Sequence, residues 1–217
     1  MTISVDIAAP IERVWKAVTD EKEIPRWFAP VARVKPGLGG SIFLSWGPGM
    51  EGEAPIVAWA APHRFAWREE TTTVEFVLES ASATTRLSVT QSGNPSPSNI
   101  HAWQTFFAML KYGLETYPNE PAVNVARLRQ LDLPREQALL LAPAFPGTTV
   151  AAPAPGYCCQ TVDGVDHSLL AYFIESGGGA VTISIEWILY GPARAYAAQA
   201  ADRLDHFLNS SFATDSR

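Results

Sequence analysis

Residues 99–117 read NIHAWQTFFAMLKYGLETY. Trp103, Phe106, Phe107, Leu110, Leu114 and Tyr117 recur at helical spacing, so one long helix with a single apolar stripe is predicted here. A stripe of that kind has to be buried. The chain before it is a series of short, aromatic-rich runs, which implies an α+β layer fold in which a curved sheet closes around this helix. Such a container is either filled by its own side chains or encloses a pocket.

Working back from the helix, Thr85–Thr90 and Val74–Glu79 read as a hairpin, with Val74, Phe76 and Leu78 on one face. Arg64–Glu70, Pro55–Ala60 and Ser41–Trp46 read as further strands, Phe65 and Trp67 sharing the buried face of theirs. At the start, Thr2–Ala8 alternates apolar and polar residues as a half-buried strand does. Pro10 and Glu12 then open a first helix whose apolar face is Ile11, Val14, Trp15 and Val18. Asp20 is placed to cap a second, short helix through Trp27 and Phe28.

Working forward, residues 118–155 hold prolines at 118, 121, 134, 143, 146, 153 and 155. That density predicts a Pro-rich connection, broken by a short helix near 135–141. Beyond it, Ser168–Glu175 and Val181–Tyr190 read as a hairpin across Ser176–Gly179, and Gly191-Pro192 opens a long helix to about Phe212. Its stripe is Tyr196, Ala200, Arg203, Leu204, Phe207 and Leu208, with Arg203 the polar exception. The expected organisation is one domain over 1–117, the connection over 118–155, and a hairpin plus helix over 156–217 that resembles a truncated second copy.

The chain of 217 residues is 47% hydrophobic and 18% charged, a globular composition. A net charge of −6 without any basic run argues against nucleic acid as partner, because phosphate binding needs clustered cations. No membrane span and no secretory leader are read in the sequence, so a cytoplasmic protein is expected. Cys158 and Cys159 are adjacent and are expected to be free, buried thiols.

The first 117 residues resemble the helix-grip proteins of the START-like (SRPBCC) superfamily, in the branch related to the C-terminal domain of the heat shock protein 90 ATPase activators. The resemblance is carried by IAAPIERVWKAVTD at 7–20, Trp27, PGLGGSIFLSW at 36–46, HRFAWREE at 63–70, ATTRLSVTQSG at 83–93 and the helix from Trp103 to Leu114. It implies a seven-stranded antiparallel sheet wrapped around the long helix. It also implies an internal cavity that in relatives takes apolar or amphipathic small molecules.

Catalytic chemistry is poorly represented. Residues 47–52, GPGMEG, match G-x-G-x-x-G, but a dinucleotide site needs a helix to follow, and a strand is predicted instead. His63, His101, His167 and His206 are scattered, none at ligand spacing from another donor, so no metal and no cofactor is expected. Glu75 alternates away from Phe76, and Arg68, Glu69 and Glu70 end a strand, so none is assigned a catalytic role. The aromatic residues are the better signal. Trp46, Trp59, Phe65, Trp67, Phe76, Trp103 and Phe107, with Leu110, are expected to line a site for an apolar small molecule. The competing readings are an interaction module that takes a protein partner or a second copy, and a cavity enzyme of cyclase or hydrolase type.

Overall fold

The computed structural model describes residues 1–93, 95–142, 145–177 and 179–212. Asn94, Pro143 and Gly178, which sequence reading puts in loops and turns, lie outside them. The chain divides into two compact units, Met1–Asn119 and Glu120–Arg217.

In the first unit, strand β1 (Thr2–Ile7) leads into helix α1 (Ile11–Thr19), which buries Ile11, Val14 and Val18. The second helix contracts to a single 3-10 turn at Ile24–Arg26, because Pro25 removes a backbone donor. Six strands follow: β2 (Val31–Lys35), β3 (Ser41–Ser45), β4 (Glu51–Ala60), β5 (Arg64–Glu69), β6 (Thr72–Ala81) and β7 (Thr84–Gln91). Helix α2 (Pro97–Thr116) closes the unit. The sheet is antiparallel, ordered β1-β7-β6-β5-β4-β3-β2, and is not closed. Sequence reading missed β2, a five-residue edge strand in which the alternating Ala32 and Val34 are only half-buried and no side chain is fully buried.

Helix α2 starts with Pro97 at its first turn and with the Ser96 N–H donating to Asn99 Oδ1 at 2.7 Å, which satisfies a donor that no helical carbonyl reaches. Its far end is anchored by arginines. Arg13 Nε donates to the Pro118 carbonyl at 3.1 Å and Arg26 Nη2 to that of Tyr117 at 2.9 Å. Glu23 lies between them, 2.8 Å from Arg13 and 3.4 Å from Arg26. Tyr117, expected to continue the stripe, instead ends the helix and is half-buried.

The second unit differs from its sequence reading. Where a Pro-rich connection was expected over 118–155, the chain forms strand β8 (Ala122–Leu131), helix α3 (Arg135–Leu140) and strand β9 (Thr149–Ala154). Strands β10 (Tyr157–Val162), β11 (Val165–Gly177) and β12 (Ala180–Tyr190) complete a five-stranded sheet ordered β8-β12-β11-β10-β9. Prolines at 118, 121 and 134 flank β8 rather than interrupt it, and Pro153 sits on edge strand β9, where a missing N–H costs no ladder bond within a central strand. The hairpin plus helix is thus only part of this unit. A 3-10 turn at Gly191–Tyr196 precedes helix α4 (Ala197–Ser211), which buries Ala200, Leu204 and Leu208 against Ile183, Ile185, Trp187 and Leu189.

Candidate functional site

The aromatic residues of the first unit form one connected network. Phe65 on β5 faces Phe76 on β6 across a ladder pair, with ring centroids 6.3 Å apart, and Trp67 meets both. From α2, Trp103 packs edge-on to Phe76 at 5.7 Å, and Phe107 lies 6.5 Å from Trp27. The 3-10 turn supplies the link between sheet and helix: Trp27 contacts Phe76 at 6.2 Å, while Phe28 stacks on Trp103 at 5.2 Å and meets Trp46 edge-on at 5.0 Å. Edge-on and offset arrangements at these distances are the favoured ones for aromatic pairs.

Of the side chains selected from sequence, Phe65, Trp67, Phe76, Trp103, Phe107 and Leu110 are buried together. Trp46 is half-buried at the edge of the network. Trp59 leaves the interior: it lies between Phe65, at 5.4 Å, and Trp15 of α1, at 5.2 Å, and both tryptophans border an open groove of about 520 Å³. Trp15, Trp27 and Phe28 are additions that the selection lacked. Their ring size was visible in the sequence, but their direction depended on how the short turn folds back on the sheet.

Two indole N–H groups are fixed, Trp27 on the Ala17 carbonyl and Trp103 on Gln91 Oε1, each at 2.9 Å. Towards the C-terminal end of α2, the void bordered by Ala17, Glu23, Arg26, Trp27, Met109, Leu110, Gly113 and Leu114 is about 10 Å³. That is room for roughly one water molecule.

The remaining candidates resolve as structure. Residues 47–50 form a tight turn, with Met50 N–H on the Gly47 carbonyl at 3.0 Å and φ of +138° and +80° at Gly47 and Gly49; Glu51 and Gly52 already belong to strand β4, not to a helix, so no phosphate cradle exists. Glu75 pairs with Arg64 at 2.6 Å on the outer face. Among the described residues of the first unit, the groups with shifted pKa are Asp6, Arg86 and Glu115, the first two paired with each other and the third with Lys111. No cluster of three His, Cys, Asp or Glu suited to a metal occurs among the described residues. No helix among them is long and apolar enough to cross a membrane.

Residues 8–115 match the family model described as Activator of Hsp90 ATPase homolog 1-like protein. The first unit belongs to the Hsp90 ATPase activator-like branch of the START-like superfamily. Similar solved structures include conserved protein EF2215 from Enterococcus faecalis, at 22% identity over 55% of this chain and 73% of that one, with a TM-score of 0.48. The Aha1 dimer from Colwellia psychrerythraea is 19% identical over 54% and 96%, with a TM-score of 0.47. DynU16, from the dynemicin biosynthetic locus, is 17% identical over 98% and 96%, with a TM-score of 0.47. No curated protein matches the chain. In the START-like unit, the open sheet and α2 are the parts that hold the aromatic network.

Proposed function

We propose that the START-like unit is a non-catalytic, cytoplasmic binding module that takes an apolar or amphipathic small molecule between its sheet and α2. The observation that supports this most is the continuity of the rings from β5 and β6, through Trp27 and Phe28, to Trp103 and Phe107, with half-buried Trp46 at the rim. The rings touch in the free protein, so binding requires α2 to part from the sheet and a ligand ring to replace protein rings. Burying ~300 Å² of ligand surface at roughly 25 cal/mol/Å² gives about 7 kcal/mol before association costs, which limits affinity to the micromolar range or weaker. Native mass spectrometry of freshly purified protein tests this. A discrete mass excess lost on denaturation is expected, or else saturable thermal stabilisation by long-chain fatty acids or polycyclic aromatics that is weakened in Phe107→Leu. A clean mass together with no stabilisation by either class would reject it.

A second reading is favoured by the direct ring-to-ring packing of the interior and by the name of the matched family. In it the interior is solid and an outer surface engages a chaperone ATPase or a second copy. Added protein would then raise Hsp90 ATP turnover or run as a dimer.

A further inference from the structure

Arg203 stands at the edge of the apolar stripe of α4, with buried Ala200 and Leu204 on one side and exposed His206 and Ser210 on the other. Its guanidinium carbon lies 5.0 Å from the ring centroid of Trp187 and 5.5 Å from that of Phe145, both within cation–π range. Trp187 is itself fully buried and 5.7 Å from Phe145, so the rings that hold the guanidinium are fixed by the core. One nitrogen, Nη1, donates to Tyr196 Oη at 3.0 Å. No carboxylate pairs with Arg203 among the described residues. Guanidinium carries five donors, and a bidentate acceptor uses two of them in parallel.

Arg203 borders a groove of about 370 Å³, within the size range of small-ligand sites. One face of α4 forms a wall of it. Arg203, His206, Phe207 and Ser210 fall at i, i+3, i+4 and i+7, and Phe145 stands opposite, 5.8 Å from Phe207. Asp202 also borders the groove and supplies its one carboxylate. The walls therefore combine two phenyl rings with polar groups, and the cation held between rings is the feature that a ligand can complete.

We infer that this groove of the second unit binds a small organic carboxylate with a flat apolar body, the carboxylate on Arg203 and the body lying against the touching rings of Phe145 and Phe207. Arginine positioned by aromatic stacking recognises carboxylates bidentately, and lysine does not reproduce that geometry. The site is separate from the sheet–helix interior of the START-like unit and does not depend on it.

Isothermal titration of the whole chain with 2-naphthoate, and with 2-naphthalenemethanol as the uncharged body, tests the inference. Naphthoate should bind saturably and about tenfold or more tighter than the alcohol, the usual margin of a charge-assisted pair. Arg203→Met should erase that preference while leaving weak binding of the alcohol, and Arg203→Lys should restore only part of it. The wild-type comparison stands even if the variants fail to fold. Equal affinity for the two probes, no saturable binding of naphthoate, or an unchanged preference in a folded Arg203→Met protein would each overturn the inference.

Discussion

Phe28 stacks on Trp103 with ring centroids 5.2 Å apart and planes 21° from parallel. One ring leaves a 3-10 turn and the other a long helix, so this contact joins the early turn to the last element of the START-like unit. Removing either ring should open the centre of the network.

Trp103→Ala is expected to cost ~3 to 5 kcal/mol, the usual loss for a buried ring, and Phe28→Ala a similar amount. Because the rings touch, the double variant should lose less than the two single losses added together. Urea midpoints at unchanged slope measure this. A wild-type midpoint in Trp103→Ala would remove α2 from the centre of the argument.

Glu23 is shared by Arg13 and Arg26, all three side chains being at most 18% exposed. Deleting it leaves two cations without their carboxylate beside the last carbonyls of α2. Glu23→Ala should destabilise by roughly 3 kcal/mol, in line with breaking a buried ion pair. If hydrogen exchange at the C-terminal turn of α2 were as slow as in the wild type, the anchoring role would be wrong.

Glu186 on β12 is fully buried, with Asn124 Nδ2 donating to its Oε2 at 2.8 Å, and burial pushes its pKa from 4.5 up to about 8. The folded protein therefore keeps a proton that the unfolded chain releases near pH 4.5. The contribution of this group is full below about pH 4.5 and is lost as pH rises towards 8, because the native state binds the extra proton. Wild-type stability should fall by a few kcal/mol across that window, and Glu186→Gln should flatten the fall while keeping the Asn124 bond. A pH profile identical in wild type and variant would show that Glu186 does not carry it.

Cys158 and Cys159 are both buried, and burial raises both thiol pKa values, that of Cys159 to about 12. The thiolate is the reactive form. Ellman's reagent should accordingly label neither thiol in the native protein and both in denaturant. Rapid labelling without denaturant would contradict the packing of β10.

How much of this was legible beforehand differs by element. Helix α2 was readable because its stripe repeats over several turns and its rings have nowhere else to go. Strands β5, β6 and β7 were readable from their alternation, which put Phe65 and Phe76 on equivalent faces; that the two are direct ladder partners came from the register of the sheet. Strand β2 was not, for want of a buried side chain, and β8 and β9 were hidden by the prolines around them. In the candidate site, residue type pointed to Trp103 and Phe107 correctly as interior rings, yet gave Trp59 the same place.

The sequence by itself determined periodicity, and with it which residues had to be covered: the α2 stripe, the inner faces of β5 to β7, and the apolar face of α4 that made Arg203 an exception. Only the tertiary structure decided what covers them. Direction depends on contacts distant in the chain, such as Phe28 against Trp103 and Arg203 over Trp187 and Phe145. Local spacing specifies a face, whereas the partner of that face is chosen by long-range packing.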